Sequence, residues 1–293
     1  MQSAPVRRRP RAAIRNDDRE VGLLLDRLHE LGLGDKTNLI VVSEHGFGHG
    51  IFGVDVIGEL IKVGLKAETD SDDVVVASSG QTILLYVRAR DAARISAIVR
   101  FLQRQPWAGV LFTAGAQSSQ GTPIQGREPG TFALELVHMA NAERGPDIVL
   151  TFPWSSARGP FGLPGTDYTD ARATGPLTGT AGNHGSMSPW VVNNTFLAWG
   201  PDFKHGTTLR TPASNVDLTP TLLALMNLDK GAGLDGFDGR VLREAFVDGP
   251  DEEQVPIEVH TYFVESADGS YRAAIQITEL EQQRYVDKSW RVR

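Results

Sequence analysis

The 293-residue sequence contains no cysteine. Disulfides, a thiolate nucleophile and thiolate-bound metal are therefore excluded, and any metal must be held by histidine and carboxylate. The absence says nothing about compartment, because reducing and oxidising settings both allow it. No apolar run reaches the length needed to cross a bilayer. The opening "MQSAPVRRRPRAAIR" has no apolar stretch behind its arginines, so it does not read as a signal peptide, and localisation stays open. The motifs GxxxxGK[ST], HExxH and GxSxG are also missing, which removes the usual anchors of P-loop, zincin and α/β-hydrolase chemistry.

What is present has the balance of a globular protein, with 41% hydrophobic and 22% charged residues, and enough length for one large domain or two ordinary ones. The net charge of -7 is uneven: residues 1–15 hold five arginines and no acid, leaving -12 on the rest. Such a tail can bind nucleic acid or an acidic membrane surface. Here it lacks interleaved aromatics, has no zinc-finger or RNP-like neighbour, and precedes an acidic body. The expectation is no nucleic-acid partner and no membrane partner.

Apolar spacing predicts a helix over Asp18–Gly32 and a buried strand over Thr37–Ser43. Further strands are expected at Val74–Ser78, Thr82–Val87, Asp147–Phe152 and Asn194–Gly200, with an amphipathic helix at Asp91–Gln105 and another at Asn215–Leu228. Residues from Trp154 to Val192 are rich in Gly, Pro, Ser and Thr without periodicity, which reads as a long functional loop. Its aromatics Trp154, Phe161 and Tyr168 could stack on a nucleobase or pack within the loop. The tail after Pro256 alternates as a β-hairpin around Asp268-Gly269. Strands alternating with helices imply an α/β fold with a mainly parallel, doubly wound sheet, helices on both faces and the C-terminal β-hairpin at the edge.

In such sheets ligands bind outside the carboxyl ends of the strands. "SEHGFGHG" places Glu44 and His45 at that edge, and "GNHGSMSP" sets His184 between two glycines before another strand. Acid and imidazole in glycine-framed turns suit a metal ion, because glycine lets backbone approach a ligand closely. His49 and His205 read as structural or solvated. A rival reading is that "GHGIFG" matches G-x-G-x-x-G, the dinucleotide-binding turn, although "EHGF" intervenes between strand and first glycine.

At these two turns the sequence resembles the alkaline phosphatase superfamily, in particular bacterial type I phosphodiesterase/nucleotide pyrophosphatase proteins. "SEHG" looks like that family's "SDHG" metal motif. "GNHGSMSPWVVNNTFLAWGPDFKHG", "SNVDLTPTLLALMNL" and "FDGRVLREAF" follow in the family's order, so the resemblance runs from about Asp18 to Phe246. It implies two divalent ions, usually zinc, with Glu44 and His45 on one and His184 on the other. It also implies a Thr or Ser nucleophile, a further carboxylate and an Asp/His pair in a "DxxGHxxGP"-like motif, none of which is found here. No catalytic residue and no organic-cofactor residue is therefore assigned. Glu44 stands where the family has Asp, and the extra methylene shifts its carboxylate by about a bond length where metal sites tolerate about ±0.2 Å.

On that basis the expected function is a metal-dependent hydrolase of phosphodiester or phosphate ester bonds, acting on a small-molecule phosphate ester, at most partly assembled and inactive as this chain. Alternatives are a non-catalytic remnant or binding module, a sulfatase-like hydrolase, or a dinucleotide binder. Residues 1–17 read as an atypical Arg-rich segment, 18–250 as a partial, N-terminally truncated alkaline phosphatase-like α/β domain, and 251–293 as its β extension. Loss of strands would bare a sheet edge and invite self-association. Family members are often exported.

Overall fold

A computed structural model describes residues 4–117, 121–160, 162–174, 181–228 and 236–292. The first half of the chain forms α1 (Ala4–Glu30), β1 (Leu39–Val42), β2 (Gly48–Val54), α2 (Val56–Lys62), β3 (Val74–Ser78), β4 (Thr82–Val87), α3 (Ala92–Gln103), β5 (Leu111–Thr113), β6 (Phe132–Ala133) and β7 (Ile148–Thr151). There follow β8 (Trp154–Arg158), β9 (Pro164–Asp170), α4 (Ala171–Thr174), β10 (Ala181–Asn183), α5 (Pro189–Val192), β11 (Phe196–Trp199) and α6 (Leu218–Leu225). The C-terminal part holds β12 (Ile257–Glu265), β13 (Arg272–Leu280) and β14 (Gln283–Val292). Two compact units result, Met1–Glu44 with Thr195–Ile257, and His45–Asn194 with Glu258–Arg293.

In the first unit α1 starts well before Asp18. Alanine and arginine are strong helix formers, so the Arg-rich segment can extend the helix upstream of its apolar stripe. Val21, Leu25 and Leu28 are half-buried, whereas Leu23, Leu24 and Leu31 are exposed. β1 pairs antiparallel with β11, from Leu39 opposite Trp199 to Val42 opposite Phe196. Before α6, Ser214 and Asp217 form a reciprocal capping box, and Pro220 falls in the first turn, where its missing N–H costs nothing. Asp217 also accepts from the Arg240 N–H at 2.8 Å, and the buried Arg240 guanidinium grips both oxygens of Glu244 at 2.5 and 2.9 Å. The "DGR" stretch thus pins the base of α6.

The second unit overturns the expected parallel, doubly wound sheet. Its five-stranded sheet runs β3-β4-β7-β5-β6, and within that sheet the described pairs are antiparallel except β5 with β6. The α3 crossover does carry the chain from β4 to a strand of the same direction, β5. The gap between them is filled by β7, which runs the other way and pairs antiparallel with both. β3 and β4 are joined by a tight turn, which forces antiparallel pairing.

Helices on both faces is likewise corrected. Ile83, Leu85, Leu111, Ile148 and Leu150 face Leu60, Ile98 and Leu102 of α2 and α3. The alternate residues Val110, Phe112 and Val149 face Ala273, Ile275 and Ile277 of β13, so the second face is covered by the sheet β12-β13-β14. The C-terminal strands are therefore a packed layer and not an edge hairpin, with β14 added by pairing along all of β13.

A smaller sheet, β10-β2-β9-β8, takes three of its strands, β8, β9 and β10, from the expected long loop. Gly, Ser and Thr carry no hydrophobic alternation, so these strands are set by tertiary pairing. Trp154 donates to the Ser289 carbonyl at 2.6 Å and packs edge-on against Trp190, while Tyr168 packs on Phe52. Phe161 lies outside the described residues. "GHGIFG" is strand β2, bonded to β10 on one side and β9 on the other, so its N–H groups are not gathered around a phosphate. No described helix is long and apolar enough to cross a membrane.

Candidate metal centre

β2 and β10 bring the second unit's two candidate histidines together. Their antiparallel register sets Asn183 opposite Gly48, so His184 leaves β10 beside the turn that leads into β2. The rings of His45 and His184 stack with centroids 4.1 Å apart and planes 13° from parallel. Phe47 stands edge-on to both, at 5.1 and 6.0 Å, and is itself 64% exposed. The histidines are half-buried.

Glycine is required on both sides. A Cβ at Gly46 would lie 2.2 Å from the Trp190 carbonyl oxygen, and one at Gly185, whose φ is +95°, would lie 2.5 Å from that of Ser79. His184 is further held through its backbone: its N–H donates to the Asn183 side chain at 2.9 Å and its carbonyl accepts from Gln81 N–H at 2.9 Å. His45 Nδ1 lies 2.9 Å from the Gly46 carbonyl oxygen. A carbonyl can only accept, so Nδ1 carries the proton and, in the neutral ring, Nε2 bears the lone pair a metal would take.

An imidazole-bound metal lies in the ring plane, about 2.0–2.1 Å from nitrogen. Near-parallel stacked rings share no such point, so these two cannot hold one ion together. Ions bound by the two rings would be separate, and the ring spacing is close to the roughly 3.5–4 Å between ions of two-metal hydrolytic sites.

Glu44 belongs to the first unit, at the end of β1. Ser43 and Thr195 bond reciprocally there, at 3.0 Å backbone to backbone and 2.8 Å to the Ser43 hydroxyl. Asn215 donates to the carbonyls of Ser43 and Glu44, and the Glu44 side chain is exposed. His205 is exposed and His49 lies within β2.

Residues 5–108 match the model of the type I phosphodiesterase / nucleotide pyrophosphatase family. No curated protein matches the chain. The phosphodiesterase-family match covers less than half of the chain, begins inside the Arg-rich segment and contains Glu44 and His45. His184 lies beyond it, on the second turn that geometry brings alongside.

The residues present supply the right donor chemistry for the family's divalent ions but not enough of it. Among the described residues no group of three or more His, Asp or Glu side chains is placed to hold a metal. One acid that sequence reasoning missed lies nearby in the fold: Asp167 in β9 is fully buried, and burial pushes its carboxyl up to about 6. The Ser186 hydroxyl and the Gln81 amide lie close enough to oppose that rise in part, though neither is placed to close a hydrogen bond with it. Nothing in the polar "GTDYTDAR" run distinguishes Asp167 from Asp170, because burial is decided by the strands around them.

Proposed function

We propose that this chain carries part of the centre of a metal-dependent phosphoric ester hydrolase, with His45 and His184 each serving one ion of a pair. The supporting observation is the imidazole stack. It joins a turn inside the phosphodiesterase-family match to a turn outside it, at a spacing suited to two ions and unsuited to one. Glu44 enters the proposal through its place next to His45 in the chain, as a carboxylate for the same ion. The substrate class is a small phosphodiester or phosphomonoester.

The same reading holds that the chain by itself does not turn over. Phosphoryl transfer of this kind needs an activated nucleophile and a clamp on the attacking and leaving oxygens. The histidine pair provides neither. Hydrolysis of bis-p-nitrophenyl phosphate in the presence of zinc tests this directly. The expected rate is that of buffer plus zinc. Robust turnover that requires both metal and His184 would show that the centre is complete.

A further inference from the structure

The three buried acids described in the second unit are not treated alike. Asp147 pairs with Arg90 at 2.8 Å and accepts from Val87 N–H at 2.6 Å. Asp170 pairs with Arg172 at 2.8 Å. Asp167 is 0% exposed, and neither of its carboxylate oxygens has a hydrogen-bond partner among the described residues.

Its surroundings are polar and in part unsatisfied. Alternation along β9 puts Asp167 and Thr169 on one face. Thr169 shows what that face meets: its hydroxyl donates to the Gly80 carbonyl at 2.9 Å and accepts from the Asn183 amide at 2.7 Å. Next to Gly80 is Gln81, fully buried, with both amide atoms lacking partners among the described residues. Beyond Asn183 come Ser186, close to the Asp167 carboxylate, and Ser188, whose buried hydroxyl is also unmatched and whose N–H donates to Ser186 Oγ at 3.1 Å. Gly48 closes the remaining side: a Cβ there would sit 2.0 Å from Asp167 Oδ2, so the glycine makes room for the carboxylate.

Buried polar groups are almost always satisfied, and a buried charge is paired or holds an ion. We propose that Asp167 anchors a buried site for a monovalent alkali cation, Na⁺ or K⁺, with Gln81 and Ser186 as its neutral oxygen partners. The all-oxygen set suits a hard cation. One carboxylate among neutral oxygens balances a single positive charge, whereas a divalent ion would leave net charge buried. This site is separate from the histidine pair and does not depend on the hydrolase reading.

The test is thermal unfolding of the whole chain at pH 7.5, comparing NaCl, KCl and choline chloride at equal ionic strength, with micromolar CaCl₂ and MgCl₂ as further arms. Above its Kd the preferred alkali ion should raise Tm by roughly 3–5 °C per tenfold increase in concentration, and choline should not. Asp167→Asn keeps the shape and removes the charge, and should abolish the difference between salts. Should that variant not fold, ²³Na relaxation on the unaltered protein carries the test: excess broadening that K⁺ reverses supports the site. Equal Tm in all three chlorides without excess broadening would overturn the proposal, as would a dependence on Ca²⁺ or Mg²⁺ alone. An alkali-ion effect that survives in folded Asp167→Asn would overturn it as well.

Discussion

The imidazoles of His45 and His184 lie face to face, 4.1 Å between centroids and 13° from parallel, although 139 positions separate them in the chain. Each therefore directs its lone pairs in its own plane, and ions bound by the two would be neighbours and not one shared ion.

That geometry sets how the two residues combine. In zinc titrations each of His45→Ala and His184→Ala should lose one of two bound ions and the double variant both, with a coupling between the losses of no more than about 0.5–3 kcal/mol because the rings touch. A coupling well beyond this, with the double variant no worse than either single one, would mean that both rings serve one ion.

Asp167 makes stability depend on pH in an unusual direction. Its folded-state pKa of about 6 lies above the usual carboxylate value, so the folded protein binds the proton more tightly than the unfolded chain. Stability should then fall as pH rises from about 4 to about 6, by up to about 3 kcal/mol from this group in choline buffer. Asp167→Asn should remove that part of the slope. Urea melts across this range check it, and a variant with an unchanged slope would refute the assignment.

The Arg240–Glu244 pair behaves in the opposite way. Burial raises the Glu244 carboxyl, but the hydrogen bonds and charge of Arg240 outweigh it and hold the group below its ordinary value. Its contribution is present above the unfolded pKa and is lost as pH falls through the depressed folded one. Glu244→Gln leaves a buried guanidinium without its counter-charge, and should cost about 3–5 kcal/mol in urea unfolding at neutral pH. A loss below about 1 kcal/mol would show that the guanidinium finds water.

Local stability should be uneven along the chain. β1 and β11 form a two-stranded ribbon in which Val42, Leu197 and Trp199 are exposed, and such ribbons are marginal in water. Hydrogen exchange at Ile40 and Ala198 should be fast, while Leu85, Leu150 and Ile275, all 0% exposed, should exchange only on large-scale opening. Comparable protection at both sets would contradict this and would point to a covered ribbon.

Much of the local structure was legible from residue pattern. The short apolar runs "TILLYV" and "DIVLTF" mark β4 and β7, and the 3.6-residue apolar period of "ARISAIVRFLQ" marks α3, because buried strands and amphipathic helices write their burial into the chain. The histidines at 45 and 184 stood out through the glycines around them, which the close backbone contacts at Gly46 and Gly185 explain. Strand direction was not legible. The helix α3 between β4 and β5 is the mark of a parallel pair, but only long-range pairing decides that β7 is inserted between them and that β12–β14 cover the other face.

The sequence by itself determined which residues could bind a metal, since without cysteine only imidazole and carboxylate remain, and it determined the resemblance that the match over residues 5–108 supports. Tertiary structure alone decided that the two imidazoles stack and cannot converge, and that Asp167 is sealed from water while Asp170 has an arginine. Spacing along a chain fixes which face a side chain takes within its own element. The distance and angle between side chains on different elements follow from sheet register and packing, which no local pattern encodes.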